Sequence, residues 1–133
     1  MTNLIPEDYA DLLTWEKRAY AHVAVVLQDG TPHVSPIWFD YDGRHIILNT
    51  ARGRVKDRAM SRRRYAAVSI VDPADPERYL LIRGKVTEET EDGAWEVICD
   101  LNEKYRGHRN FPRRPGQVRV TYKILPEHVY AGD

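Results

Sequence analysis

The sequence predicts a single, mainly β domain spanning residues 1–133: a barrel of six or so antiparallel strands with short helices at its ends. Two Asp-Gly pairs, Asp29-Gly30 and Asp42-Gly43, separate short runs rich in β-branched and aromatic residues. Such pairs are the strongest local signal for β-hairpins. A chain of 133 residues has room for one domain, and a small sheet closes its edges most easily by curling into a barrel.

The first part of the chain reads as a helix followed by strands. Pro6 precedes two acidic residues and then apolar residues at helical spacing, which is typical of a helix start. The apolar run 21–27 ends at the first Asp-Gly pair, the run 32–41 ends at the second, and the run 44–49 follows at once. Residues 20–49 are therefore predicted to form a three-stranded antiparallel meander.

The later elements alternate between helix and strand. Gly84 interrupts one strand and indicates a bulge or a tight bend at a barrel corner. In chain order, we predict a helix over 55–64, a strand over 65–71, a loop over 72–76, a strand over 79–88, a helix over 92–105, a basic loop over 106–115, a strand over 117–124 and an extended tail near Val129 and Tyr130.

Composition excludes several classes of protein. Lys and Arg number 20 and so do Asp and Glu, so no overall field attracts nucleic acid or an anionic membrane. No apolar run approaches the roughly 20 residues of a membrane span, and residues 1–10 lack the layout of a signal peptide. Cys99 is the only cysteine, and the five histidines show no ligand spacing, so we expect no metal site. A cytoplasmic protein is expected.

Residues 49–58 are the most informative stretch for function, because they leave a strand, pass Gly53 and enter a predicted helix. A loop that feeds a helix N-terminus offers free backbone N–H groups to an anion. Against the single acid Asp57, this stretch and its continuation hold seven basic residues, at positions 52, 54, 56, 58, 62, 63 and 64. Two interpretations of this stretch are equally open, a phosphate site and a solvated basic helix face. Binding of nucleic acid is disfavoured, because the stretch has no aromatic residues to stack on bases.

A second stretch, residues 33–39, places Pro36 inside a strand-like run. Central strands avoid proline, so the chain either bulges there to meet a ligand or forms an edge whose Trp38 and Phe39 belong to the core. The basic loop 106–115 either lines a cleft for an anion or covers the surface. No nucleophile motif is present, and Cys99 falls on an apolar helix face, so no catalytic residue is assigned.

These stretches together resemble the pyridoxamine-phosphate-oxidase-like split β-barrel superfamily, whose fold is that of the FMN-binding-protein-like barrels. The motifs are Pro36-Ile37-Trp38-Phe39, and Asn49-Thr50 followed by Gly53-Arg54-Val55-Lys56. The resemblance is greatest to the F-420-dependent flavin/deazaflavin oxidoreductase B group. It implies a homodimer with cofactors in clefts at the subunit interface, and hydride transfer from coenzyme F-420 to a planar unsaturated acceptor such as a quinone, an enone or a tetrapyrrole.

The resemblance also implies roles for residues. Thr50, Arg54 and Lys56 would hold the cofactor phosphate, and the basic run beyond Lys56 favours F-420 with its acidic tail over FMN. An FMN-dependent reductase or oxidase, and a non-enzymatic flavin or haem carrier, are the alternatives. The chain is shorter than true pyridoxamine phosphate oxidases, so vitamin B6 oxidation is not expected. Val34 to Ile37 would run along the ring system, Arg58 would reach the tail, and residues of the strand Tyr79 to Ile82 would approach the cofactor, some of them across the dimer interface. The implied cofactor-binding residues are His33, Val34, Ser35, Pro36, Ile37, Thr50, Arg54, Val55, Lys56, Arg58, Tyr79 and Leu80.

Overall fold

A computed structural model describes residues 4–132, in which seven antiparallel strands form one sheet. A 3-10 helix, Glu7–Leu13, precedes the sheet. The strands and helices are β1 (Ala21–Val26), β2 (Pro32–Ile37), β3 (Phe39–Tyr41), β4 (Ile46–Ala51), α1 (Val55–Arg63), β5 (Tyr65–Asp72), β6 (Asp75–Thr90), α2 (Ala94–Arg106) and β7 (Arg119–Gly132). The mainly β fold and the split-barrel architecture are confirmed.

One continuous run of chain, residues 32–41, joins the two edges of the sheet and closes the barrel. The prediction that residues 20–49 form one three-stranded meander is wrong. The strand order is β2-β1-β5-β6-β7-β4-β3, so β2 pairs with β1 and β3 pairs with β4 at opposite edges of the sheet. Only Trp38 separates β2 from β3 in the chain. The sheet must therefore curl until its two edges meet at Trp38. Both hairpins were predicted, but the middle run divides between two partners.

The second half of the sheet is built from longer strands than predicted. Only Pro73 and Ala74 remain as a turn between β5 and β6, and the last predicted strand and the tail form one strand, β7. The bulge predicted at Gly84 is present, since the β6–β7 register shifts between Arg83 and Gly84. A Cβ atom at Gly84 would lie 2.1 Å from the backbone oxygen of Leu125, so the close approach of the two strands requires glycine.

The helices cover the ends of the barrel and place polar groups at its rim. α1 follows β4 after a short turn, and the Asp57 carboxylate accepts a hydrogen bond from the Gly53 N–H, which ties this turn to the first turn of α1. α2 packs on β4 and β7, where Asn49 Nδ2 donates to the Ala94 carbonyl. Within residues 4–132, no helix has the length and apolar character to cross a membrane.

Candidate functional site

A cavity of about 400 Å³ opens at the barrel rim, between the N-terminus of α1, the first residues of β7 and the loop that joins α2 to β7. Five of its lining residues are basic and none is acidic. The lining residues are Tyr20, Pro36, Ile37, Trp38, Asn49, Thr50, Arg54, Lys56, Ile98, Arg106, Phe111, Pro112, Arg114, Gln117 and Arg119. The structure thus brings together the predicted site residues Pro36, Ile37, Thr50, Arg54 and Lys56.

The rim of β4 and the start of α1 form one wall of the cavity, which carries Thr50, Arg54 and Lys56. Thr50 is 1% exposed, and its Oγ1 atom has no hydrogen-bond partner among residues 4–132. Arg54 is the N-cap residue of α1 and Lys56 lies in its first turn. A buried hydroxyl without a partner is costly, and here it sits beside two cations at a helix N-terminus, which is an arrangement that binds phosphate.

The cations of this wall repel one another. No ion pair involves Arg54, Lys56 or Arg119 within the described part of the chain. Burial, followed by the nearby charges of Arg54 and Arg119, lowers the pKa of Lys56. Burial, followed by the charges of Arg54 and Arg114, lowers the pKa of Arg119 to about 10. An anion bound between these groups would relieve both the desolvation and the repulsion.

Arg119 was not predicted as a site residue. It is only 8% exposed, and its Nε atom donates to Asn49 Oδ1 at 2.9 Å. Asn49 in turn donates to the Ala94 carbonyl and to Thr121 Oγ1, so its amide is fixed and aims the guanidinium. The available signal was an arginine flanked by Val118 and Val120 in a β-prone run, since a charge at a strand position needs a ligand or a partner.

An aromatic cluster forms the opposite wall of the cavity. Trp38 stacks on Tyr105, and their ring centroids are 5.2 Å apart, a separation typical of stacked aromatic rings. Phe111 meets Trp38 and Trp95 edge-on, at 6.5 and 5.9 Å. The Tyr105 hydroxyl donates to the Ala19 carbonyl, which fixes this cluster to the barrel. The predicted basic loop therefore lines the cavity through Phe111 and its neighbours rather than standing away from it.

Several predicted residues lie elsewhere. Leu80 is 0% exposed in the hydrophobic core and does not line the cavity, so its assignment as a cofactor contact stays a prediction. Val34 and Tyr79 lie outside the cavity, and Val34 is 65% exposed beside the outer face of the sheet. His33 and Ser35 do not line the cavity, although His33 Nδ1 and Ser35 Oγ have no partner within residues 4–132.

The basic run does not act as one surface. Arg52 pairs with Asp57, Glu89 and Glu91, and Arg64 also pairs with Glu89, so the fold neutralises part of the run's charge. Glu89 lies near the end of β6 and Glu91 directly follows that strand, so both acids are far from Arg52 in sequence. A separate cleft of about 520 Å³ holds the predicted residues Val55 and Arg58, together with Leu27, Gln28, Asp29, Ala59 and Arg62.

The fold and the cavity together define a small split-barrel protein with a cavity lined by basic residues at the barrel rim. The sequence matches the pyridoxamine 5'-phosphate oxidase family over residues 5–131. The chain belongs to this family. In the part of the chain that the structure describes, no group of His, Cys, Asp and Glu is arranged to hold a metal ion.

Solved structures support this family assignment. A protein named F-420 reductase is 33% identical, with a TM-score of 0.83 over 95% of this chain and 98% of its own. A conserved hypothetical protein from Mycobacterium tuberculosis has a TM-score of 0.74 at 20% identity, over 97% of this chain and 85% of its own. HupZ from Group A Streptococcus has a TM-score of 0.68 at 18% identity, over 96% and 93%. The last two show the fold alone. No curated protein matches the sequence.

Proposed function

We propose that this protein is an oxidoreductase that binds a flavin-type cofactor through Thr50, Arg54 and Lys56. One observation carries the proposal: the buried Thr50 hydroxyl has no partner within residues 4–132 and lies in a cavity with two unpaired cations at a helix N-terminus. These groups fit a phosphate, which accepts hydrogen bonds from a hydroxyl, a guanidinium and backbone N–H groups at once.

The favoured cofactor is coenzyme F-420. The relative named F-420 reductase is 33% identical over nearly the whole chain, which supports this choice. When bound, reduced F-420 would supply a hydride, that is two electrons and one proton, for transfer to a planar unsaturated acceptor, and solvent would supply the second proton. The protein's part is to hold the phosphate at α1 and to shield the rings with Pro36, Ile37 and Trp38.

FMN is the second candidate. The positions of the cations in the structure favour FMN more than the basic run in the sequence does. FMN ends in one phosphate, whereas F-420 continues into an acidic tail. Arg64 is paired with Glu89, and Arg58 lies in the neighbouring cleft rather than in the cavity. The cations left in the cavity form a compact set, which suits a single phosphate as well. Arg58 contributes to F-420 binding only if the tail leaves the cavity and follows α1.

We also propose that the chain forms a homodimer through the outer face of β1, β2, β5, β6 and β7. A shallow depression of about 500 Å³ lies on this face. Val34, Leu81 and Tyr130 are lining residues with exposed side chains, 65%, 40% and 61% exposed. Stable dimers bury such apolar surface at a two-fold axis. Sedimentation at low micromolar concentration tests this, and a stable monomer that still binds cofactor would contradict it.

A parallel titration with FMN and F-420 tests the cofactor assignment. We expect tighter binding of F-420 to the wild-type protein, and unchanged F-420 binding in the control Arg113→Ala, since Arg113 lies over the Trp95 ring and does not line the cavity. Tighter binding of FMN, or FMN retained through purification, would select the second candidate. Turnover of reduced F-420 with neutral quinones then separates an enzyme from a non-enzymatic flavin or haem carrier, which would bind its ligand without oxidising it catalytically.

A further inference from the structure

The cavity holds more positive charge than a cofactor phosphate neutralises. Its five basic residues face no acidic lining residue. The FMN phosphate carries up to about two negative charges, and the phosphate of F-420, a diester, carries one. Arg54 and Lys56 at α1 suffice for either group. Three arginines therefore remain, namely Arg106, Arg114 and Arg119.

The three remaining arginines are arranged around the aromatic wall. The Arg119 guanidinium lies 5.2 Å from the Phe111 ring centroid, and the Arg106 guanidinium lies 4.9 Å from that of Trp38. Arg119 is buried, and its guanidinium donates to the neutral side-chain oxygens of Asn49 and Gln117. A buried guanidinium aimed into a cavity without a carboxylate partner is a built anion site, because leaving such a charge unpaired is costly.

We propose that Arg119, with Arg106 and Arg114, is a second anion subsite that binds the carboxylate of a planar aromatic acceptor. This inference rests on the proposed function and names its substrate class. The acceptor ring lies against the aromatic wall of Trp38 and Phe111, and its carboxylate reaches the guanidinium of Arg119. Arginine suits this role, because its planar fork pairs with a carboxylate and stacks on aromatic faces.

A carboxylate in the cavity has two sources, the acceptor and the acidic tail of F-420. The combination of rings with guanidinium groups favours the acceptor, since an aliphatic glutamate tail gains little from stacking. The exposed cations of the neighbouring cleft, Arg58 and Arg62, are better placed for a tail that leaves the cavity.

The test compares two probes that differ by one charge, naphthoquinone sulfonate and the neutral methylnaphthoquinone. Equilibrium dialysis measures the affinity of both for the protein, with and without cofactor, and steady-state turnover with reduced F-420 gives the KM of each. The variants are Arg119→Gln and the exposed Arg114→Gln, which is expected to fold even if the first does not. Arg113→Gln is the matched control, because Arg113 belongs to the same loop but lies 3.8 Å over the Trp95 ring and does not line the cavity.

We expect the wild-type protein to bind the sulfonate at least tenfold more tightly than the neutral quinone. Arg119→Gln and Arg114→Gln should each reduce this preference by about 10-fold, the usual effect of losing one charge-assisted contact, while Arg113→Gln keeps it. Equal wild-type affinity for the two probes would overturn the proposal. The proposal would also be overturned if Arg114→Gln lost affinity only for F-420 that carries its glutamate tail, and kept its affinity for the tailless form and for both quinones.

The oxidoreductase function and the anion subsite can each be disproved without the other. If the sulfonate binds with the expected preference but reduced F-420 is never oxidised, the proposed hydride transfer is wrong and the anion subsite stands. If F-420 does not bind at all, dialysis on the protein alone still reports the preference between the two probes. If reduced F-420 is oxidised by both quinones with equal KM and equal affinity, the oxidoreductase stands and the subsite falls.

Discussion

Arg52 and Lys56 lie four residues apart in one basic segment, yet their surroundings are opposite. Arg52 contacts three carboxylates, those of Asp57, Glu89 and Glu91. Lys56 has no ion pair in the described chain, and the charges of Arg54 and Arg119 oppose its protonation. The first arrangement joins α1 to β6 and stabilises the fold. The second costs stability, and a cost of this kind is typical of a site that waits for a ligand.

The largest effect that this comparison predicts is on cofactor binding. Losing one charge-assisted contact costs about 1.5–3 kcal/mol, so Lys56→Ala should weaken cofactor affinity by roughly 10- to 100-fold. The double change Arg54→Ala/Lys56→Ala should nearly abolish binding in a protein that remains folded. Isothermal titration measures the affinity, and circular dichroism checks the fold. Unchanged affinity in a folded double variant would show that this segment is a solvated helix face and not a phosphate site.

Substitution of Arg52 should affect stability instead. Arg52→Ala leaves the buried Asp57 carboxylate and Glu89 with fewer partners, so we expect the free energy of unfolding to fall by about 1–3 kcal/mol. Urea denaturation measures it, with Arg62→Ala as a control expected to change stability by less than about 0.5 kcal/mol. The comparison breaks down if Arg52→Ala instead leaves stability unchanged and weakens cofactor binding directly.

Substitution of Lys56 should raise the free energy of unfolding of the cofactor-free protein, whereas substitution of Arg52 lowers it. Because burial and two cations lower its pKa, folding works against the protonated form. Between that lowered pKa and the ordinary lysine value of about 10.4, the unfolded chain binds more protons, so wild-type stability gains from Lys56 as pH rises through this window. Lys56→Met should therefore stabilise the cofactor-free protein at neutral pH by about 0.5–1 kcal/mol. A destabilised Lys56→Met, or an unaltered pH profile, would show that Lys56 has an unseen partner.

The smallest predicted effect is that of salt. The Debye length falls from about 10 Å at 0.1 M salt to about 3 Å at 1 M, which screens exposed contacts more than buried ones. We expect F-420 affinity to weaken several-fold over this range, mainly through contacts of its tail. FMN lacks the tail, so its affinity should change less. Equal salt dependence for both cofactors would place all of the ionic contacts inside the cavity.

The sequence was sufficient for the local elements and for the placement of Thr50, Arg54 and Lys56 close together. The Asp-Gly turns, the bulge at Gly84 and the helix that follows Gly53 all depend on neighbouring residues, and each is present. The grouping of Thr50, Arg54 and Lys56 in one cavity likewise follows from a local turn between a strand and a helix. Short-range signals of this kind do not depend on how distant parts of the chain pair.

Features that depend on distant pairing were not predictable. The split of residues 32–41 between two sheet edges is set by the strand order, which no local pattern encodes. The neutralisation of Arg52 requires Glu89, which β6 brings back from 37 residues away. Arg119 enters the cavity because β7 pairs with β4, where Arg119 lies opposite Ala51. Leu80 was assigned by resemblance alone, and the alternation of β6 turns it to the core.

The position of β7 has a consequence for how the protein folds. β7 follows all other strands in the chain, yet it lies between β6 and β4 and joins two partial sheets, β2-β1-β5-β6 and β4-β3. Neither the barrel nor the cavity is complete until β7 docks, because Arg119 comes from its first residue. Contacts this distant in sequence slow folding. We therefore expect refolding in milliseconds to seconds, with the ligand site forming only in the last step.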